Sequence, residues 1–270
     1  MKLKKYALTL LAVVCIILPA TIAPLLPLTD PLAMDLAKRF ALASFDAPLG
    51  NDEYGRSVIS RLIWGMHISL IVAVFSSTIG CVVGTALGIL AAYLRGLVET
   101  AIMRFMDMLV CLPALLVAMV YVTLYGPGAG SLIPILAVVS LPAFTRVAYS
   151  AVLTVRSQEY VEASHAMGAS RLRTMVRTIL PNISSAVLVQ LSLATASAVV
   201  LESGLSFLGL GIVPPDASLG TMIGSARSTL VQAPQLLLWP CVALTLLILT
   251  LNAVCDLLRD LLDPRHVGSS

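Results

Sequence analysis

Six stretches of this chain run apolar for about 20 residues each, the length that carries a helix across the hydrocarbon core of a bilayer. They are residues 6–28, 68–94, 108–125, 131–150, a run from about 183 past 201, and 236–254. Hydrophobic residues make up 59% of the 270, and only 11% are charged. An ordinary soluble protein carries about 25% charged residues, so this chain cannot coat a water-soluble particle with polar surface. A disordered chain and a nucleic-acid-binding domain are excluded on the same ground. The expectation is an all-α polytopic membrane protein with six transmembrane helices. Gly and Pro inside the runs do not argue against helices there, because neighbouring helices can satisfy the freed backbone groups.

The first run follows Lys2, Lys4 and Lys5, as a signal peptide would. It is longer than the usual apolar core of a signal peptide, roughly 7–15 residues, and no small-residue cleavage site follows it, so a retained helix is expected. Basic residues set the orientation. With the N-terminus cytoplasmic, twelve fall on the cytoplasmic side: Lys2, Lys4, Lys5, Arg95, Arg104, Arg146, Arg156, Arg171, Arg173, Arg177, Arg259 and Arg265. Five fall outside: Lys38, Arg39, Arg56, Arg61 and Arg227. An even number of spans puts both termini on one side, so span count and charge agree on cytoplasmic ends. Cytoplasmic loops are expected near 95–103 and 151–182, and external segments near 29–66, 126–130 and 206–235.

The loop at 156–182 has a pattern. Val161, His165, Gly168, Leu172, Met175 and Ile179 recur every three or four residues, which marks one face of a helix or of two consecutive helices. Glu159 and Glu162 suit a helix N-terminus. Gly168 can close a first helix in a left-handed conformation, and Ser170 can cap a second. Pro181 is expected to stop that second helix where the next span begins. A rigid handle for a partner and a solvated, positive loop fit this periodicity equally well.

Some chemistry is absent. Lysine does not occur after Lys38, so no G-x-x-x-x-G-K-[ST] loop exists and the chain cannot hydrolyse ATP through one. Cys15, Cys81, Cys111, Cys241 and Cys255 form no C-x-x-C pair and read as small buried hydrophobes. His67, His165 and His266 have no metal-ligand spacing, so no metal site is expected. Gly168-Ala169-Ser170-Arg171 superficially resembles part of a protease nucleophile turn, but there is no G-x-S-x-G elbow and Ser170 has a role as a cap. No catalytic residue is assigned. An ATP-independent carrier or channel fits hydropathy alone, although the inverted repeats common in such carriers are not evident.

Four groups of charged residues stand out. Glu202, with Ser206 one turn on, lies in or beside the fifth span. A carboxylate there must face protein, water or the interface. It reads either as a pathway or gate residue or as a residue that stabilises the 202–216 turn. Arg104 and Asp107, three apart at the start of the third span, are expected to pair with each other. Asp52, Glu53, Arg56 and Arg61 read as a solvated external face or, second, as a contact for an external partner protein. Asp256, Arg259 and Asp263, with Asp260 and Arg265, read as an anchor for the cytoplasmic end or a partner contact.

These residues also carry a resemblance. Glu162-Ala163-Ser164, then Gly168, then Leu180-Pro181, resembles the EAA loop of ABC importer permeases, with Ser164 in place of the second Ala. The stretch from Leu49 to Ser57 resembles the L-G-T-D-x-x-G-R-D segment of peptide and nickel permeases, departing at Asn51 and Ser57. Arg104, Asp107 and Pro113 resemble their R-x-x-D…P entry to the third span. The run from Leu205 to Gly211, with Pro214-Pro215 and Gly220, resembles L-S-F-L-G-L-G…P-P…W-G, with Leu219 where Trp is usual. The stretch from Asp256 to Arg265 resembles their D-x-L-R-D-x-L-D-P-R tail. Thr178 stands where a His is common. The matches run from about residue 49 to 265. The chain thus resembles the C-type second permease subunit of dipeptide, oligopeptide and nickel ABC importers.

The resemblance implies a type I importer permease of a bacterial inner membrane. Residues 1–66 would form the first helix and an external segment, 67–265 a core of five helices carrying a coupling loop at 156–182, and 266–270 a tail. A homologous permease would complete the pathway as a heterodimer. Two ATP-binding subunits would seat the loop around Glu162, Ala163, Ser164 and Gly168, and a periplasmic substrate-binding protein would dock outside. This chain would bind no cofactor, with ATP and magnesium held by the partners. Peptide is the expected solute, and nickel or another small solute is the alternative.

Overall fold

The computed structural model describes residues 9–45 and 47–262. Lys2, Lys4, Lys5, Asp46, Asp263, Arg265 and His266 lie outside the described residues. The described chain is helical. α1 covers Thr9–Thr21, α2 Val58–Leu94, α3 Gly96–Cys111, α4 Ala114–Tyr125 and α5 Ala129–Arg156. α6 covers Glu159–Ala166, α7 Arg171–Phe207, α8 Leu219–Ala226 and α9 Gln235–Leu262.

Four helices, α2, α5, α7 and α9, are each long and apolar enough to cross a membrane. The expected third span is not one straight helix. It is the pair α3 and α4, bent by 87° across Leu112 and Pro113. Proline removes a backbone donor and pushes the preceding residue out of helical geometry. Leu112 is accordingly extended, with ψ 129°. Counting the bent pair as one span gives five. α1 is shorter than its apolar run, because Pro24 and Pro27 follow its end and the chain tightens into a 3-10 turn over Ala23–Leu25. The loop expected near 95–103 shrinks to a joint at Arg95 and Gly96, both with positive φ, from which α3 starts at once.

The central contact is α2 against α5. Gly80, Gly84 and Gly88 lie one turn apart on α2 and face α5 without side chains. A Cβ on Gly84 would lie 2.7 Å from Phe144 Cβ, and one on Gly88 would lie 2.5 Å from the Thr145 carbonyl oxygen. In lipid no hydrophobic force drives helices together, so close backbone approach and dispersion hold them. α7 packs across the same pair. Ser77 on α2 and Thr195 on α7 share a hydrogen bond of 2.9 Å. Near the Leu94 end of α2, Ile89, Ala92 and Tyr93 pack with Ala148 and Val152 of α5 and with Ile179 and Ile183 of α7. Near the other end, α8 and α9 close over Val58 and Leu62, burying Leu219 fully.

α7 passes through Pro181 instead of stopping there. A wide π turn over Met175–Ile179 shifts the hydrogen-bond register just before the proline, and Asn182 Nδ2 donates to the Thr178 carbonyl at 2.6 Å. Such turns absorb an insertion or a missing donor without ending a helix.

Candidate functional site

The segment 159–182 forms a short helix, a glycine turn and a long helix. α6 ends at Ala166. Met167 N–H donates to the Ala163 carbonyl at 3.0 Å and Ala169 N–H to that of Ser164 at 3.1 Å. Gly168 sits between them at φ +80°, a conformation in which a side chain is strained. Ser170 then caps α7, its Oγ accepting from Arg173 N–H. Val161 turns inward and is buried, while Tyr160, Glu162, Ala163 and Met167 are exposed. Leu180 and Pro181 are exposed on the next turns of α7. A cavity of about 500 Å³ separates α6 from the ends of α2 and α5, lined by Tyr93, Arg156, Val161, Glu162 and Arg171. Arg156 Nη1 donates to the Ala92 carbonyl at 3.2 Å, tying the base of α5 to α2. The result is a small exposed helix joined through residues 167–170, with Gly168 at the left-handed turn, to a helix of 37 residues.

Glu202 is fully buried on α7. Its Oε2 accepts from Ser69 of α2 at 2.6 Å and from Ser203 at 3.3 Å, and its Oε1 accepts from Ser206 at 2.7 Å. Ser206 Oγ in turn accepts from Ile212 N–H at 2.9 Å. Gly211 packs directly on Ser206 and Gly220 on Ser203, where a Cβ would come within 2.1 and 2.2 Å of their atoms. The glycines of the 205–220 stretch therefore permit the loop and α8 to fold back over a carboxylate that ties α2 to α7. Buried carboxylates persist only when hydrogen-bonded. Glu202→Ala should cost about 2–5 kcal/mol, because the serine hydroxyls lose their acceptor in a dry site. Thermal unfolding of the detergent-purified protein measures this, and Glu202→Gln, which keeps one acceptor oxygen, should fall between. A wild-type midpoint for Glu202→Ala would remove the carboxylate from the tie.

Asp52, Arg56 and Arg61 do not form a solvated face. All three are buried. Asp52 Oδ1 accepts from the Tyr54 and Arg56 amides, each at 2.9 Å, and Oδ2 meets Arg56 Nε at 2.7 Å and Arg61 Nε at 3.5 Å. Arg56 also lies over the Tyr54 ring at 4.5 Å. A fully partnered carboxylate can be buried where a lone one cannot. The 49–57 stretch is thus a tight turn, with a bridge between Asn51 and Ser57 and with Gly55 at φ +74° against the Asp35 backbone.

Arg104 and Asp107 do not pair. Asp107 meets Arg146 of α5 at 2.8 Å, while Arg104 is exposed. Tyr149 of α5 also donates to Glu99 of α3. α3 therefore faces α5 through Glu99 and Asp107, which leaves Arg104 on another side. Asp256 and Arg259 are exposed near the end of α9. Among the described residues, no group of three or more His, Cys, Asp or Glu is placed to hold a metal ion.

Three features have no counterpart in the sequence analysis: the glycine stripe on α2, the Ser69 partner of Glu202 and the Arg146 partner of Asp107. The stripe had a signal in its Gly-x₃-Gly-x₃-Gly spacing. The other two join residues far apart in the chain, and no local pattern announces them.

A family model described as binding-protein-dependent transport system inner membrane component matches residues 84–267. The di/tripeptide transport system permease protein DppC of Pseudomonas aeruginosa (strain UCBPP-PA14) is 40% identical over 217 residues, covering 80% of this chain and 72% of that one. The glutathione transport system permease protein GsiD of Pectobacterium atrosepticum is 37% identical over 217 residues, covering the same 80% and 72%. Among solved structures, a chain of the MetNI methionine ABC transporter in an inward facing conformation superimposes with a TM-score of 0.63. It is 18% identical and covers 75% of this chain and 96% of that chain.

Proposed function

The chain belongs to the binding-protein-dependent transport system inner membrane components, and on that premise we propose that it conducts short peptides as one of two permeases in an ATP-driven importer. It is a multi-pass ABC importer permease of the inner membrane. Peptide is favoured over nickel as the solute because similar permeases are named for di/tripeptides and glutathione. In this reading both termini are cytoplasmic, as the basic residues favour. ATP and magnesium belong to two partner ATPases, a second permease completes the pathway, and a binding protein delivers the solute from outside.

The observation that carries the proposal is the α6–Gly168–α7 element. α6 exposes Glu162 and Ala163, a four-residue turn at 167–170 with left-handed Gly168 links it to α7, and α7 runs on without a break to Phe207. A push on α6 by an ATPase is then transmitted along α7 to Glu202, Ser206 and the loop they hold. Ala163, Ser164, Leu180 and Pro181 complete the surface that an ATPase would grip or move.

The test is reconstitution. Co-expressed with its partner permease, ATPases and binding protein, the chain should co-purify with the ATPases and import labelled dialanine in an ATP-dependent way. Reporter fusions after Ser44 and Gly220 should report outside, and those after Arg171 and Ser270 inside. An external Arg171 would overturn the coupling role. A fully assembled complex that hydrolyses ATP but ignores every dipeptide would overturn the substrate.

A further inference from the structure

Asp107 and Arg146 form an ion pair at 2.8 Å, yet 49% and 47% of their side chains stay exposed. Their depth makes that exposure informative. Thr145, beside Arg146, lies against Gly84 and Gly88 of α2. α2 holds no Asp, Glu, Lys or Arg from Leu62 to Leu94, and Gly84–Gly88 falls six to ten residues, roughly 9–15 Å, short of its Leu94 end. The pair is therefore level with apolar helix, where half-exposed charges cannot face lipid. Ionisable groups at such depth face protein or a water-filled cavity.

A cavity is present there. It measures about 380 Å³ and is lined by Leu112, Pro113, Val139, Pro142, Ala143 and Arg146. That is within the range of small-molecule clefts, about 300–1,000 Å³. Its walls are apolar apart from Arg146. It occupies the elbow where α3 and α4 break by 87°, and Pro142 of α5 faces the break. Broken helices of this kind line solute sites in transporters, because irregular backbone at membrane depth needs water or protein beside it.

We infer that the elbow cavity is a wall of the translocation pathway, that Arg146 on its lining meets the carboxylate of a passing short peptide, and that Asp107, outside the lining but paired with Arg146, meets the ammonium. The inference rests on the proposed peptide-conducting role. A zwitterion suits an ion pair because each of its ends can replace one partner, so charge stays compensated as the solute moves by. The apolar remainder of the cavity accepts varied side chains without selecting among them. Arg104, exposed one turn before Asp107, neither lines the cavity nor belongs to the ion pair, and it has no part in the site.

The experiment uses the whole transporter in proteoliposomes, with both permeases, the ATPases and the binding protein, and dialanine as solute. In a background with the five cysteines replaced, Ala143→Cys should react with a charged, membrane-impermeant thiol reagent. Saturating dialanine should slow that reaction at least about threefold, the effect of occupying most copies of a site. Asp107→Asn and Arg146→Gln should each lower uptake at least about tenfold at equal abundance, the scale of one lost charge-assisted hydrogen bond, with ATP hydrolysis retained. The exchanged pair Asp107→Arg with Arg146→Asp separates contact with solute from a structural tie. Continued loss of uptake supports contact, and recovery to the wild-type rate overturns it. An unreactive Ala143→Cys, or single variants within twofold of wild-type uptake, also overturns the inference. A wild-type complex that imports no dialanine defeats the peptide assignment, whereas the thiol reaction still decides whether the elbow faces water.

Discussion

A transporter carrying Gly168→Leu is expected to insert normally and import nothing. Gly168 adopts φ +80°, and a Cβ built there meets no atom within 4 Å. Crowding inside this chain is therefore not the mechanism. The left-handed backbone alone costs a branched residue about 1–2 kcal/mol. That is enough to favour an unwound end of α6 over the turn that presents Glu162. The added side chain also projects into the open space where an ATPase would sit. The spans keep their own backbone hydrogen bonds, so membrane abundance should hold. Gly168→Asn gives the graded control, because asparagine tolerates this backbone region better than leucine. Uptake should rank wild type above Asn above Leu, with the binding protein's affinity for its ligand unchanged. Wild-type uptake by Gly168→Leu at matched abundance would show that α6 does not couple.

The turn at Gly168 was legible because its causes are local. A glycine after an apolar-periodic stretch and a serine two residues on are sufficient to specify a left-handed close and a new cap, and the structure has both. The long spans were legible for the same reason, since length and apolarity are local properties. The bend at Leu112 and Pro113 was not. Pro134, Pro142 and Pro240 all sit inside continuous helices, so proline alone does not say which span breaks. What differs is packing, because α4 leaves α3 to run along α5. Charge pairing failed likewise. Local spacing favoured Arg104 as the partner of Asp107, three residues away, but the fold supplied Arg146, 39 residues away. Glu202 found Ser69 across 133 positions, which converts an unexplained membrane carboxylate into a tie between α2 and α7. Asp52 read as exposed because its position is polar in sequence. Its burial follows from two arginines and two amides that only the folded turn assembles.

Gly84→Leu should leave little folded protein to purify. Gly84 is the middle of the three glycines that let α2 lie against α5, and a Cβ there comes 2.7 Å from Phe144 Cβ and 3.0 Å from the Leu141 carbonyl oxygen. Phe144 is itself buried, with 1% exposure, so neither neighbour can withdraw into free space. The helices must separate or slide. Separation also opens the contacts at Gly80 and Gly88, because all three share one interface. Overpacking a tight core costs about 1–3 kcal/mol and occasionally more, and here one extra side chain loosens a long helix pair in a medium that supplies no hydrophobic restoring force. We expect the upper end of that range or beyond, seen as loss of the monodisperse peak in detergent and a lower unfolding midpoint. Gly204→Ala serves as the comparison. It lies within α7, where a Cβ meets nothing within 4 Å, and removing a helical glycine there should be neutral or stabilise by about 0.5–1 kcal/mol. If Gly84→Leu and Gly204→Ala unfold at the same temperature as the wild type, the close approach of α2 and α5 is not what holds this bundle together.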